Sequence, residues 1–431
     1  PPPPPYIFFT APPATPDPLW SRGLGDVYKR QTQGTGFFPQ FAILVPTRQI
    51  MAPQVLDVYD SEDPRKVIGI AVELLKDNQI VAFPTETVYG LGVAINDAAA
   101  IERIFEIKGR PESQVLTLAI NDSSQLMKFA PNSSNLAKRL ARRCWPGPLT
   151  MVVDASDDDS LIQSLPENII PFIAPQGWVG LRVPSNEVLL TVLEELQQPI
   201  ALTSANKSGE ADATTAREVA EQLGDKLPLV VDGGPTKIGT PSTVIKLVKD
   251  RITVLREGAI DNDMLVELAQ PEIVIVCTGN TCRSPMAEVL LREKLSKALG
   301  CTLDNLEIKV QSAGIAATPG SPAALQAVQV MHEQGIDLND HESQQLHYQL
   351  ALHADLLLTL SNSHRRAIIG EWPEFEHKTF VIDPDEGDVA DPFGAPVEVY
   401  QACAQQIDDL LDQRLQEILG LQPPENLFGE N

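Results

Sequence analysis

The sequence predicts an α/β protein in two parts, on three observations. The apolar run at residues 273–276 reads as a buried strand, Gly279 and Asn280 allow a tight turn, and Ser284-Pro285 supplies a helix N-cap followed by proline at the first helical position. A second apolar strand ends the stretch 74–83 in the first half. A chain of 431 residues with 43% hydrophobic content is long enough for two independent cores. The boundary is expected near Gln270-Pro271, after a short helix over 263–269, so the joint between 51–270 and 271–431 is brief.

Residues 1–50 stand apart. Five opening prolines, further proline pairs and the run Arg22-Gly-Leu-Gly-Asp-Val-Tyr-Lys-Arg-Gln31 show no period that a core could use. They lack the basic start, apolar centre and cleavage site of a secretory signal. Residues 23–31 resemble a translated sequencing adapter. The stretch is expected to be a non-native or disordered extension, with translation starting at Met51, the first methionine.

After the strand of the first half comes Pro84-Thr-Glu-Thr-Val-Tyr-Gly-Leu-Gly92, whose paired glycines permit close backbone approach to a ligand. Lys108-Gly-Arg-Pro111, Trp145-Pro-Gly-Pro-Leu-Thr150, Gly180-Leu-Arg-Val-Pro184, Thr203-Ser-Ala-Asn-Lys-Ser-Gly209, Pro241-Ser-Thr-Val244 and Leu255-Arg-Glu-Gly258 follow in order. Taken singly these are ordinary turns and caps. The acidic stretch 154–176 is expected to be a solvated loop rather than a lid. Lys138, Arg139, Arg142 and Arg143 are expected to form a solvated helix face. All six histidines lie beyond residue 331, so the first half has no imidazole base and must work by charge neutralisation.

In order and spacing these motifs resemble the threonylcarbamoyl-AMP synthase (YrdC-like) family over roughly residues 61–262. The resemblance implies a twisted open α/β sheet. It also implies synthesis of threonylcarbamoyl-adenylate from threonine, bicarbonate and ATP, for threonylcarbamoyladenosine modification of tRNA. Lys108, Arg110 and Arg256, with a magnesium ion, would surround the triphosphate. By motif position Arg110, Asn206 and Arg256 would contact the nucleotide, with Gln114 and Thr214 as further candidates. Thr87, Arg182, Ser204 and Ser242 would surround threonine, Arg182 pairing with its carboxylate. Two positions depart from the family pattern: Ala119 replaces a common histidine and Trp178 a common threonine. A competing reading makes this half a nucleotide- or RNA-binding module, double-stranded RNA included, without synthesis.

In the second half, Cys277 and Arg283 lie six positions apart between strand and helix. Backbone N–H groups of such a loop, with the helix N-terminus, form a concave anion site that a guanidinium can close with two parallel hydrogen bonds. The same field favours the thiolate of Cys277 as a nucleophile. Downstream, Asp391-Pro392-Phe393 offers a loop carboxylic acid that can protonate a leaving group and then activate water.

Residues 272 to about 422 resemble the low-molecular-weight protein phosphatases, including Ser312-Ala313-Gly314 and Ala354-Asp355-Leu356. The resemblance implies a doubly wound, mainly parallel four-stranded sheet and catalysis without a cofactor or metal. Cys277 would be the nucleophile, Arg283 the phosphate clamp and Asp391 the general acid. Thr278, Gly279, Asn280, Thr281, Cys282 and Ser284 would support the loop. Ser284 would steady the thiolate, Asn280 organise the loop, and Cys282 occupy the position of a protective disulfide partner. Thr281 resembles the protein-arginine phosphatases, where tyrosine-directed members carry a bulky aliphatic residue, so phosphoarginine is favoured over phosphotyrosine. An arsenate reductase is the competing enzyme, but it would need two relay cysteines, and only Cys301 and Cys403 remain outside the loop, far apart in sequence and neither near the region after Asp337.

The formal charge of −25 opposes a firm grip on a phosphate backbone, so tRNA is expected to be reached through a separate transferase. Five cysteines argue for a reducing, cytoplasmic compartment. No apolar run approaches the length that spans a membrane.

Overall fold

The computed structural model describes residues 53–60, 63–109, 115–422 and 427–428. The expectations for residues 1–50 and Met51, and the nucleotide contacts expected of Arg110 and Gln114, lie outside the described residues.

Ten strands of the first half form one mixed sheet: β1 Gln54–Asp57, β2 Val81–Phe83, β3 Gly90–Ala94, β4 Thr117–Ala119, β5 Leu149–Asp154, β6 Trp178–Arg182, β7 Ile200–Ser204, β8 Leu229–Asp232, β9 Thr243–Val248 and β10 Arg251–Arg256. Their order is β1-β8-β2-β3-β7-β4-β6-β5-β9-β10. The helices are α1 Pro64–Lys76, α2 Ala98–Lys108, α3 Leu126–Phe129, α4 Asn135–Cys144, α5 Ile170–Ile173, α6 Glu187–Leu196, α7 Ala216–Leu223 and α8 Asn262–Ala269. Helices α1 and α6 bury Val67, Ile68, Val72, Leu75, Val188, Leu189, Val192 and Leu193 on one face of the sheet. Helices α2, α4 and α7 cover the other with Ile101, Ile104, Phe105, Leu136, Leu140, Val219 and Leu223. Each such side chain contributes roughly 1.5–3 kcal/mol by leaving water.

The glycines of β3 also serve packing: a Cβ on Gly90, which lines the cleft described below, would meet Leu202 Cδ1 at 2.9 Å, and one on Gly92 would meet Ile200 Cγ2 at 2.7 Å, so both make room for side chains of β7. The stretch 154–176 also differs from the expected solvated loop. Ile162, Ile169, Phe172 and Ile173 from it are buried in the core, and the Phe172 ring packs on Phe105 with centroids 5.8 Å apart.

The second half forms an all-parallel sheet of β11 Glu272–Cys277, β12 Lys309–Gly314, β13 Leu356–Thr359 and β14 Thr379–Val381, in the order β12-β11-β13-β14. Its helices are α9 Arg283–Leu299, α10 Leu325–Glu333, α11 Tyr348–His353, α12 Asn362–Glu371 and α13 Val397–Leu419. Side chains alternate across a strand. Ile273 and Ile275 pack with α9, α10 and α13, while Val274 and Val276 pack with α11 and α12. Burial on both faces is why β11 reads as one unbroken apolar run.

The sheets meet through α4 and α8, and here the sequence reading needs correcting. Arg139, Arg142 and Arg143 are not a solvated face: their side chains are 2%, 23% and 6% exposed and converge on Asp355. Only a contact partner distant in sequence distinguishes such a helix from a surface one. The chain also returns across the joint, where Ile252 N of β10 donates to Leu427 O at 2.7 Å.

Candidate active sites

The first site is a cleft of about 360 Å³ lined by Thr87, Arg182, Ser204, Ser242 and Arg256, together with Thr85, Tyr89, Thr150 and Trp178. A turn after β2 shapes one wall: Thr85 Oγ1 accepts from the N–H groups of Thr87 and Val88 at 3.2 and 3.3 Å. Glu86 and Thr87 are thereby turned toward β6. Arg182 Nη2 donates to Glu86 Oε1 at 2.6 Å and to Thr87 Oγ1 at 3.0 Å, while its Nε donates to Gly147 O at 3.2 Å. Arg256 Nη2 donates to Ser242 O at 2.8 Å and to Ser242 Oγ at 3.0 Å, and Ser242 Oγ lies 3.0 Å from Thr150 Oγ1. Burial lowers the Arg256 pKa, Asp212 opposing and the neighbouring charge of Arg182 adding to it. The cleft therefore holds the Arg256 guanidinium beside an Arg182 already paired with Glu86.

Lys108 and Asn206 stand beside this wall. Lys108 Nζ donates to Asn206 Oδ1 at 3.0 Å and also to the carbonyl of Ser204. Thr214 is engaged elsewhere, its N–H and hydroxyl both donating to Glu218 Oε2 at the start of α7. Ala119 is fully buried, within the core under α1 and α6. Trp178 lines the cleft with Lys246 Nζ 3.7 Å from its ring centroid. Among the described residues no three His, Cys, Asp or Glu side chains are grouped to hold a metal. A magnesium ion here would be held mainly by triphosphate oxygens and water rather than by a protein cage.

The second site follows β11, at the carboxyl end of a parallel strand. Cys277 Sγ lies 2.9 Å from Ser284 Oγ and accepts from Asn280 N at 3.3 Å. Helix α9 begins at Arg283 with Cys282 at its N-cap, not at Ser284 as expected, so the Ser284 hydroxyl serves the thiol instead of capping. The tight turn depends on Asn280, whose φ is 53°. Its buried side chain donates to Ser284 Oγ at 3.0 Å and Ser312 Oγ at 2.8 Å, and accepts from Gln344 N at 2.8 Å. Gly314 lets the next strand approach: a Cβ there would lie 2.5 Å from Thr278 O and 2.9 Å from Asn280 N.

Arg283 Nη2 donates to Asp391 Oδ2 at 2.5 Å and its Nη1 to Val389 O at 3.1 Å, so the guanidinium and this carboxylate stand side by side. The Asp391 side chain is 49% exposed, at the mouth. Thr278 Oγ1 lies 2.9 Å from His364 Nε2. Thr281 Oγ1 lies 3.7 Å from Cys282 Sγ, which in turn lies 3.2 Å from the Tyr400 hydroxyl. Burial pushes the Cys403 thiol up to about 12, away from the thiolate that an arsenate reductase's disulfide relay requires.

Comparison with known proteins follows the division between the sheets. The family model for Sua5/YciO/YrdC proteins, described as "Telomere recombination", matches residues 73–258. The low molecular weight phosphotyrosine protein phosphatase model matches residues 272–420. A threonylcarbamoyl-AMP synthase of Pyrococcus abyssi is 40% identical over 195 residues, 45% of this chain and 54% of the relative. A relative from Mycobacterium tuberculosis is 30% identical over 215 residues, half of this chain and 94% of its own length. A protein-arginine-phosphatase of Geobacillus stearothermophilus is 39% identical over 150 residues, 34% of this chain and 95% of the relative. The chain belongs to both families. It spans 54% of the length of the Pyrococcus synthase.

Sequence reasoning missed several residues of the two domains. In the synthase-type domain Glu86 neutralises Arg182; it lies inside the Pro84–Gly92 motif, but a carboxylate among expected cation sites gave no cue. In the phosphatase-type domain His364 and Gln344 brace the loop from 64 or more residues away, with no local signal.

Proposed function

We propose that one chain carries two chemistries. The synthase-type cleft condenses threonine, bicarbonate and ATP to threonylcarbamoyl-adenylate with release of pyrophosphate, and the phosphatase-type loop dephosphorylates phosphoproteins, phosphoarginine in preference to phosphotyrosine. The observation that carries the second is the convergence of Cys277, Ser284, Asn280, Arg283 and Asp391 on one loop. The thiolate attacks phosphorus while the Asp391 carboxyl protonates the departing nitrogen, and the bond to the substrate breaks. The Asp391 carboxylate then takes a proton from the water that releases phosphate from Cys277.

In the cleft, Lys108 and Arg256 offset charge as carbamate oxygen attacks the α-phosphate, and Arg110 has the motif position to join them. For Arg182 to bind the carboxylate of threonine, that group must share the guanidinium with Glu86, which already occupies Nη2. The adenylate is best handed to a separate cytoplasmic transferase, given the charge of −25.

Two assays on the full chain test this reading. Pyrophosphate release should require threonine and bicarbonate together; equal release with serine or with no amino acid refutes the pocket. Binding of tRNA without pyrophosphate release would favour an RNA-binding module. Phosphate release from phosphoarginine peptides should exceed that from phosphotyrosine peptides and vanish in Cys277→Ser. Thr281→Ile should shift the ratio toward tyrosine, and an unchanged ratio removes the argument from that hydroxyl.

A further inference from the structure

The basic cluster on α4 forms a polar network between the two halves, with only Arg142 Nε among its buried side-chain nitrogens left without a partner among the described residues, and neither proposed chemistry uses it. Asp355, at the start of β13, accepts from Arg139 Nε at 2.8 Å, Arg142 Nη2 at 2.7 Å, Arg143 Nη2 at 3.1 Å and Glu272 N at 3.0 Å. That fills the acceptor capacity of one carboxylate. Other guanidinium donors of Arg139 and Arg143 reach backbone carbonyls on both sides of the joint: Ala269 O at 2.7 Å, Leu268 O at 2.8 Å, His353 O at 2.9 Å and Leu421 O at 3.4 Å. Three arginines meet only two carboxylates, Asp355 and Glu272, which are 7% and 8% exposed. Removing the Asp355 charge leaves buried cations without balance.

The position of α4 gives this network a reach into the synthase-type cleft. The helix ends at Cys144, and the next six residues run directly to the cleft wall. Trp145 Nε1 donates to Leu149 O at 2.7 Å, which fixes the turn. Gly147 N donates to Val183 O at 2.8 Å, and Gly147 O accepts from Arg182 Nε at 3.2 Å. Pro148 O accepts from Thr243 N at 3.0 Å, and Thr150 Oγ1 meets Ser242 Oγ at 3.0 Å. One short segment thus ties the anchored end of α4 to the strands that carry Arg182 and Ser242.

We propose that Asp355, a residue of the phosphatase-type domain, is a positioning residue for the synthase-type cleft: by fixing the end of α4 through three arginines it sets the 145–150 segment against Arg182 and Ser242. The first site is then fully formed only while the second domain is docked, and a mutation more than 170 positions beyond Arg182 reaches the cleft. The inference rests on reading that cleft as the threonine site.

The test uses the full chain with Asp355→Asn, which keeps the shape and removes the charge, and Arg142→Met, which removes one fork and leaves the other two paired. Hydrogen exchange of the Gly147 and Thr150 amides should quicken in both variants while the core strand β11 stays protected. In the threonine-dependent release of pyrophosphate, the threonine KM should rise about tenfold for Asp355→Asn, with kcat changed much less. Simple partial unfolding would instead lower kcat through the active fraction and leave KM alone. Cys277→Ser, which silences the phosphatase loop without touching the joint, should leave both readouts at wild-type values. Unchanged exchange at Gly147 in a folded variant overturns the proposal whatever the cleft binds, as does an unchanged threonine KM. Faster exchange in a protein whose wild type makes no pyrophosphate would keep the lock and overturn the reading of the cleft. Should Asp355→Asn fail to fold, Arg142→Met carries the same two readouts.

Discussion

Asn280→Ala isolates what holds the phosphatase loop in shape. The side chain is fully buried and makes hydrogen bonds to Ser284, Ser312 and Gln344. Each contributes roughly 1 kcal/mol, so their loss costs about 3 kcal/mol. The residue also sits at φ 53°, where alanine adds about 1 kcal/mol that asparagine largely avoids. The total is about 4 kcal/mol against the phosphatase-type domain, a large share of the stability of an ordinary domain. Asn280→Gly removes the same bonds without a Cβ, so it should keep about 1 kcal/mol more than alanine through relief at positive φ. Urea unfolding of the full chain, followed by a probe in the second domain, measures the difference, and phosphate release reads the loop itself. Both variants should lose most activity because Ser284 loses an anchor while holding the thiol. Stability within 1 kcal/mol of wild type, or glycine no better than alanine, would refute this reasoning.

Three further perturbations probe other parts of the molecule. Glu86→Gln removes the charge from a pair of side chains only 7% and 5% exposed, and should cost about 3 kcal/mol, which thermal unfolding checks. Gly314→Ala forces a Cβ to within 2.5 Å of Thr278 O, and should lower phosphate release about a hundredfold while pyrophosphate release persists. Burial, with Arg283 adding to it, lowers the His364 pKa from 6.5 to about 4, so the folded state stays neutral where the unfolded chain takes up a proton. Stability should therefore fall as pH drops from about 6.5 toward 4, by on the order of 3 kcal/mol, and His364→Gln should flatten that part of the unfolding profile.

The contrast between the two halves shows what a sequence makes readable. The Cys277–Arg283 loop was legible because strand, turn, cradle and helix are consecutive, so local chemistry fixes nearly all of the geometry. Even there the helix start was misplaced, since the Ser284 hydroxyl has a better partner in Cys277 than in a backbone amide. The cleft's residues come from six separate motifs, and their convergence reflects a strand order in which sequence neighbours seldom pair. Glu86 escaped because its meaning depends on Arg182, 96 positions away. The arginines of α4 were read as a wet face because composition cannot distinguish solvent from a buried carboxylate 212 positions downstream of Arg143. Buried Ile162 and Phe172 were masked by the acidic residues around them.

The central claim, that Cys277 attacks phosphorus in a cradle shared with Arg283 and Asp391, is tested most directly by trapping the phosphorylated enzyme. The full-length wild-type chain, rapidly mixed with a phosphoarginine peptide, quenched during turnover and read by mass spectrometry, should carry a single phosphoryl adduct on Cys277 that Cys277→Ser lacks. No adduct, or an adduct on a residue outside the loop, would contradict the account.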